Sequence, residues 1–156
     1  MILDKLNEFA DATSVAAAAG TALIGNVIDL GTDGVNDVDE VYALITVDTE
    51  IFTAGVAGTV QLFLVSDSLA TLGGGVVASC TTHAISPLFV TGGTGVNALL
   101  AAGKTLLAAV LPKGQYERYL GVLCTTATTT TTSGKVNCFL TPTRSTQKSF
   151  DAPFQL

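Results

Sequence analysis

Residues 41–66 have the sequence VYALITVDTEIFTAGVAGTVQLFLVS, in which two apolar runs flank a glycine-containing break. The runs, 41–49 and 59–66, are short and rich in the β-branched and apolar residues that favour strands. The break at 53–58, TAGVAG, is composed of residues that tolerate turn dihedrals. The stretch therefore predicts two β-strands joined by a turn.

The same alternation of short apolar runs and breakers extends in both directions along the chain. It predicts about eight strands, at Asn26 to Leu30, Val41 to Thr49, Thr59 to Ser66, Val76 to Thr82, Ile85 to Val90, Thr105 to Leu111, Tyr116 to Ala127 and Lys135 to Leu140. Many short strands separated by Gly, Asp, Asn and Pro clusters are typical of an all-β sandwich or barrel.

Three segments differ from this pattern. Residues 14–24, SVAAAAGTALI, are Ala-rich and compatible with a short helix or an extended segment, and 96–102, VNALLAA, with a helical turn or a strand connection. From Thr141 the chain has two prolines, no strand periodicity and two isolated aromatic residues, Phe150 and Phe154. We therefore predict an N-terminal segment at 1–25, a sandwich domain at 26–141 and a C-terminal arm at 142–156 that docks on its own domain or on a neighbouring subunit.

The composition favours a protein that works against a partner. Only 13% of the residues are charged and 48% are hydrophobic, so much of the surface must be Thr, Ser, Gly and Ala, which cost little to desolvate. We expect a homo-oligomer, a dimer or trimer, because such a surface would otherwise leave apolar patches in water. The net charge of −6 argues against a nucleic-acid partner, which needs clustered Lys and Arg. Polar residues interrupt the long uncharged stretches, so no membrane span is predicted.

The charge is unevenly distributed along the chain. Residues 1–67 carry eleven acidic residues against Lys5 alone, and 68–156 carry two acidic residues against six basic ones. A sandwich interleaves its halves, so we interpret this asymmetry as a balance of surface charge rather than a dipole.

Cysteine and histidine usage indicates no catalytic or metal chemistry. Cys80, Cys124 and Cys138 lack metal-site or disulfide-framework spacing and are interpreted as buried small hydrophobic residues. His83, the single histidine, shares strand parity with polar residues, so it is predicted to be a solvated or rim side chain. We therefore expect no enzymatic activity and no cofactor.

Other candidate sites are also weak. Lys104 follows glycine and precedes threonine as in a phosphate-binding loop, but the glycine needed five positions earlier is Ala98, so Lys104 is interpreted as a strand-entry residue. The acidic residues of 33–40 suit Ca²⁺ without matching a known spacing, and a solvated turn is favoured. The absence of Trp, with three Tyr in all, argues against a sugar-binding cleft.

Three stretches resemble the short jelly-roll capsid cement, or head decoration, proteins of tailed bacteriophages. They are MILDKLNEFADA (1–12), NVIDLG (26–31) and LPKGQYERYLGV (111–122), and their order and separation also fit. The resemblance implies a jelly-roll that is assembled in the host cytoplasm, lies on the outer surface of the virion head and bridges subunits of the major capsid protein. The Thr-rich run from Thr125 and the C-terminal arm have no counterpart in it.

The third of these stretches supplies the candidate contact residues. After a Pro-Gly turn, Tyr116 and Arg118 fall on one face of the predicted strand and Tyr119 on the other. Arg118 begins an otherwise apolar face, so its guanidinium needs a carboxylate or backbone acceptors, and a rim position is favoured. We predict partner contacts at Tyr116, Arg118 and Tyr119, with Phe150 and Phe154 as anchors of the arm. The alternative function is another virion or surface jelly-roll, such as a tail or fibre component or an adhesive module.

Overall fold

In the computed structural model, the described residues are 5–31, 35–36, 41–55, 57–92, 97–111 and 114–142. They form the strands β1 (Glu8–Ser14), β2 (Gly20–Asp29), β3 (Val35–Asn36), β4 (Val41–Phe52), β5 (Thr59–Asp67), β6 (Thr81–Ile85), β7 (Phe89–Val90), β8 (Thr105–Leu111), β9 (Gly114–Gln115), β10 (Tyr119–Ala127) and β11 (Ser133–Thr141). The helical elements among them are short: the 3-10 turns Lys5–Asn7, Val77–Ser79 and Ala98–Leu100, and a single left-handed turn at Leu72–Gly75.

The strands form two antiparallel sheets. Sheet A has the order β1-β11-β4-β8, and sheet B has the order β2-β10-β5-β6, with β7 continuing the pairing along β5. The two-residue strands β3 and β9 pair only with each other. If β6 and β7 are counted as one interrupted strand and that small ladder is set aside, the eight remaining strands form two four-stranded sheets in the orders 1-8-3-6 and 2-7-4-5. This is the jelly-roll connection, and it confirms the predicted fold class.

The core lies between the two sheets. Inward-facing side chains alternate along each strand, as in β4, where Ala43, Ile45 and Val47 are all buried. Opposite them, Leu62 and Leu64 of β5 are at most 1% exposed. Each such aliphatic side chain contributes about 1.5–3 kcal/mol when it leaves water, so this cluster supplies most of the driving force for closing the sandwich.

The N-terminal boundary of the predicted domain is wrong, because the jelly-roll begins at Glu8 rather than at residue 26. Strand β1 pairs with β11, and the Ala-rich segment forms no helix but connects β1 to β2, which begins at Gly20. In β2, Ala22 and Leu23 lie opposite Cys124 and Leu123 of β10. The ladder to β10 outweighs the weak helix propensity of this segment.

The predicted strands at 76–82 and 85–90 are displaced in the structure. Residues 68–80, which we name the strap, connect β5 to β6 through a turn in which Leu72, Gly73, Gly74 and Gly75 all have positive φ, from 45° to 81°. Three consecutive glycines allow this left-handed turn, which other residues adopt at a cost. The strand that follows therefore starts only at Thr81.

The strap folds back over the outer face of sheet B and creates a second, smaller apolar cluster. Leu72 is fully buried there with Val65 and Leu123. The strap lies closest to sheet B at Gly121, where an added Cβ atom would overlap the Cδ1 atom of Leu72. At the start of the strap, the Asp67 carboxylate accepts hydrogen bonds from the amide of Gly73 at 2.6 Å and from that of Leu69 at 3.2 Å.

The two ambiguous or low-complexity segments form connections. The segment around Ala98–Leu100 is a single 3-10 turn, capped by Asn97 Oδ1, which accepts a hydrogen bond from the amide of Leu99 at 3.0 Å. The Thr-rich run ends β10 at Ala127 and crosses from sheet B to β11 of sheet A, so it is a connection between the sheets and not a hairpin tip. The C-terminal arm beyond residue 142, including Phe150 and Phe154, lies outside the described residues.

Candidate partner-binding surfaces

Arg118 forms a salt bridge with Asp29 at one end of sheet B. The pair is bidentate: Arg118 Nε lies 3.0 Å from Oδ1 of Asp29, and Arg118 Nη2 lies 2.8 Å from Oδ2. Hydrogen bonds from Arg118, and secondarily from the Gly31 amide, lower the pKa of the Asp29 carboxyl. The carboxylate that sequence reasoning required for Arg118 thus comes from its own domain, 89 residues away in sequence.

The same arginine is held in place while staying accessible. Its guanidinium carbon lies 5.0 Å from the centroid of the Tyr119 ring, which is within cation–π range. The Arg118 and Asp29 side chains are 48% and 45% exposed. Arg118 is therefore a rim residue, as favoured from the sequence, and it presents an ordered polar and aromatic surface together with Tyr119.

Tyr116 does not belong to that surface, which corrects its assignment as a contact residue. It is only 6% exposed, belongs to the main core cluster, and its ring centroid is 4.4 Å from that of His83. The regular strand begins at Tyr119, so the strand parity assumed for 116–118 does not apply. Tyr116 has little area to offer a partner, and its contribution is to packing.

His83 is half-buried, which fits the rim alternative of its prediction rather than the fully solvated one. The pairing of β5 with β6 shifts register between Leu64, opposite Ala84, and Val65, opposite Thr82. His83 is the extra residue of this bulge, and bulges re-aim side chains. Its Nε2 lies 2.8 Å from the Ser66 hydroxyl. Burial lowers the pKa of His83, although nearby Glu117 acts in the opposite direction.

The cluster of Ser66, His83 and Glu117 is not an activated nucleophile. In such a site the histidine stands between the serine and the acid, whereas here the Ser66 hydroxyl stands between the other two and donates to Glu117 Oε2 at 3.3 Å. Ser66 is also fully buried. The cluster can anchor β6 and the entry to β10, but it holds no hydroxyl that a substrate can reach.

The described residues contain no group of three or more His, Cys, Asp and Glu side chains placed to hold a metal ion. Cys124 and Cys138 are buried in the core, as predicted, whereas Cys80 is half-buried beside the second cluster under the strap. The acidic residues predicted to form a turn or Ca²⁺ loop, Asp33, Asp37, Asp39 and Glu40, lie outside the described residues. Lys104 is exposed directly before β8, which confirms its position at a strand entry.

Charge is divided between the two sheets. Sheet A and the residue entering β8 carry six of the charged residues in the described ranges: Glu8, Asp11, Asp48, Glu50, Lys104 and Lys135. On the sheet B side there are four, all at one end: Asp29, Asp67, Glu117 and Arg118. Beyond that end, residues 20–28, 59–66, 68–92 and 119–127 contain no charged residue. The outer face of sheet B is therefore neutral, which the linear charge pattern did not predict.

Exposed apolar side chains show the opposite distribution. Six of the nine large apolar residues that are exposed in the described ranges belong to the strands of sheet B and their connections: Leu23, Leu69, Val76, Ile85, Leu88 and Val90. Across the sheet, Leu23, Leu123, Phe63 and Ile85 stand opposite one another in register. Residues directly opposite share a face, so they form one apolar row, which we name the sheet B row. The row is buried at Leu123 and exposed at both ends.

None of the described helices has the length and hydropathy needed to cross a bilayer. None of the curated proteins is similar enough in sequence to count as a match. A protein-family model described as Bbp16 matches residues 9–140, which include nearly all of both sheets. Because this match covers most of the chain, the protein belongs to the Bbp16 family.

Proposed function

We propose that this protein is a non-enzymatic structural protein of a virion, a capsid cement that binds the outside of the head shell as a homo-oligomer and stabilises contacts between major capsid protein subunits. The observation that carries the proposal is the neutral outer face of sheet B, with most of the exposed large apolar side chains on its side. Such a face costs little free energy to desolvate and suits lasting contact with another protein.

The stretches that resemble capsid cement proteins give independent support. Two of them supply the two partners of the salt bridge, since Asp29 lies in NVIDLG and Arg118 in LPKGQYERYLGV. The third stretch contains the start of β1, which closes one edge of sheet A. The resemblance thus falls on residues that hold the fold together and form its rim at Arg118 and Tyr119, which is where a decorating protein would meet its shell.

The mode of action that we propose is mechanical. A protein that binds the assembled shell but not separate shell subunits stabilises the assembled state by its binding free energy, and each copy needs to supply only a few kcal/mol. A rigid two-sheet body with a broad uncharged face meets that requirement without any reacting group. The buried Ser66 hydroxyl and the half-buried His83, whose pKa is lowered by burial, are compatible with a role that uses no chemistry.

Decoration of shells tests the proposal directly. Particles assembled without this protein would be mixed with the purified chain, and bound copies counted after sedimentation, with particle melting followed in parallel. We expect saturation at hundreds of copies per particle and a higher melting temperature of the particle. Saturation at a small multiple of three or six would instead assign the protein to a tail or fibre, and no binding would exclude the shell as its partner.

A pair of arginine and lysine variants locates the contact. Arg118→Ala removes the ordered cation at the rim of sheet B, whereas Lys104→Ala removes an exposed cation on the side of sheet A. We expect Arg118→Ala to weaken decoration and Lys104→Ala to leave it unchanged, with both proteins folded. Equal losses in the two variants would contradict a rim contact at Arg118.

A further inference from the structure

We infer that the C-terminal arm folds back over the outer face of sheet A of its own chain, with its two phenylalanines packed on Leu44 and Phe139. Residues 143–156 of the arm lie outside the described residues, so the inference is argued from the face that would receive them. It goes beyond the proposed function and does not depend on it, since it concerns a single chain.

Leu44 and Phe139, which we name the outer pair, are buried although they point away from the core. They stand opposite each other in β4 and β11, the two central strands of sheet A. Their sequence neighbours, such as Ile45 and Cys138, belong to the main core cluster, so strand alternation places the pair on the outer face. Even so, the pair is only 7% and 6% exposed and belongs to neither apolar cluster of the described residues.

An outward-facing side chain on a sheet is buried when another segment of chain lies over it. On sheet B, Leu123 is fully buried because Leu72 of the strap packs on it. On sheet A, the 3-10 turn Lys5–Asn7 contacts β11, but Leu6 is 79% exposed, so its side chain is not the cover. Val110 on the outer face of β8 stays 48% exposed, so the cover is confined to β4 and β11. We therefore assign the cover of the outer pair to a segment outside the described residues.

The starting point and reach of the C-terminal arm select it as this cover. Strand β11 ends at Thr141, and Pro142, which has no amide hydrogen for a strand ladder, lies in a bend directly after it. Phe139 precedes Thr141 by two residues, which is about 7 Å along the strand. Phe150 follows Thr141 by nine residues, which can span up to about 30 Å. The arm is therefore long enough to turn at Pro142 and return over the outer pair.

The charge of the arm is complementary to that of sheet A. Residues 143–156 contain two basic residues, Arg144 and Lys148, and one acidic residue, Asp151. Sheet A and the residue entering β8 carry four acidic residues against two basic ones, and Glu8 stands directly opposite Phe139. Opposite charges of this kind orient a segment on a surface, while the two phenylalanine rings supply the apolar area that covers the outer pair.

The short connection favours the chain's own arm over the arm of a second copy. A segment on a short flexible linker meets its docking face at an effective concentration of the order of millimolar. A second copy at micromolar concentration therefore competes poorly for the same face. The outer face of sheet A is then occupied within one chain, and the neutral face of sheet B stays available to a partner.

Hydroxyl-radical footprinting of the purified full chain tests the inference. Trypsin cleaves after Lys135 and Arg144, so the oxidation of Phe139 is measured in the peptide 136–144, and tandem mass spectrometry locates the modified residue. Val136 lies in the same peptide and is fully buried in the core, so its oxidation reports any loss of the fold.

The test variant carries Phe150→Ala and Phe154→Ala, and the matched control carries Ser149→Ala and Gln155→Ala, which change neighbouring residues and keep both rings. We expect the test variant to raise the oxidation rate of Phe139 at least about threefold, because an uncovered outer-face side chain such as Val110 is 48% exposed against 6% for Phe139. The control should match the wild type, and Val136 should stay protected in all three proteins. If the test variant also exposed Val136, the two single phenylalanine changes would be compared by the same criterion.

The protection of Phe139 in the wild type should be the same at low and at high micromolar protein concentration. Protection at high concentration alone would assign the cover to the arm of a second copy and overturn the inference. An unchanged oxidation rate of Phe139 in the test variant, with Val136 protected, would also overturn it. A rise in a variant with Ile2→Ser and Leu3→Ser in its place would then assign the cover to residues 1–4.

Discussion

Packing of the strap on sheet B predicts an unusual energetic coupling between Leu72 and Gly121. Leu72 is fully buried against the outer face of the sheet, and a Cβ at Gly121 would overlap its Cδ1 atom. Leu72→Ala removes three buried carbons and leaves a cavity, so it should lower the free energy of unfolding by about 3 kcal/mol. Gly121→Ala alone should lower the free energy of unfolding by about 1–2 kcal/mol. The overlap of its methyl group with Leu72 outweighs the smaller benefit that alanine gives a strand by restricting the unfolded chain.

The double variant should be more stable than the sum of the single changes predicts. With Leu72 truncated, the methyl group that Gly121→Ala introduces enters vacated space, and this substitution should then be neutral or stabilising by about 0.5–1 kcal/mol. The expected interaction free energy between the two sites is therefore about 2 kcal/mol, well above the error of additivity.

Urea unfolding measures this cycle. The chain has no Trp, so far-ultraviolet circular dichroism is the suitable signal, at one fixed low protein concentration to keep association constant. Leu69→Ala is the control, because Leu69 lies on the same strap but is 62% exposed, and it should change stability by less than about 0.5 kcal/mol. If Gly121→Ala lowered the free energy of unfolding equally in the wild type and in the Leu72→Ala variant, the close packing of the strap on sheet B would be refuted.

Three further outcomes follow from buried polar groups. The Thr131 hydroxyl is buried with no hydrogen-bond partner among the described residues, so Thr131→Val should raise the free energy of unfolding by about 1 kcal/mol. Thr53→Val is the control, because it breaks a 2.6 Å hydrogen bond between the Thr53 and Thr91 hydroxyls and should lower the free energy of unfolding. Thermal unfolding of both variants checks this. Burial raises the pKa of Asp67, but the hydrogen bonds that it accepts from backbone amides of the strap outweigh burial and lower the pKa overall. The ionised Asp67 carboxylate therefore stabilises the fold above its unfolded pKa of about 3.9, and this stabilisation is lost as pH falls through the lower folded value. Asp67→Asn should remove part of this acid dependence of the free energy of unfolding, measured by urea unfolding from neutral pH downwards. Burial raises the pKa of the Cys124 thiol to about 11, so this thiol should react with a thiol reagent at neutral pH only after unfolding, and mass spectrometry of the labelled native chain would contradict this if it found label there.

The sequence predicted the strands whose apolar runs end at clear breakers. Strand β8 was predicted with both its boundaries, and β4 and β5 with their first residues, because their β-branched residues are enclosed by Gly, Asp and Pro clusters. Strand β1 was missed because its sequence, EFADATS, contains two acidic residues and little apolar character. Its place in the sheet comes from pairing with β11, more than 120 residues later, which no local window contains.

The candidate surface was predicted only where a residue's local environment decides its role. Arg118 was correctly placed at a rim, yet its partner Asp29 required the register between β2 and β10. His83 is half-buried rather than fully solvated because it is the extra residue of a bulge, and bulges leave no reliable signature in one sequence. Tyr116 was misassigned because the strand was started three residues too early.

The neutral face of sheet B does have a signal in the sequence, although the total charge of each half hides it. The acidic first part of the chain contributes strands to both sheets, so the totals of the two halves say nothing about faces. What separates the sheets is the position of charge within each strand. In β2 and β5 the acidic residue is the last one, Asp29 or Asp67, whereas β1 and β4 carry acidic residues inside the strand or at its start. Once the jelly-roll order is known, all the strands of sheet B lack internal charge, whereas in sheet A this is true of β8 alone, and the sequence then indicates which sheet has a surface suited to contact with another protein.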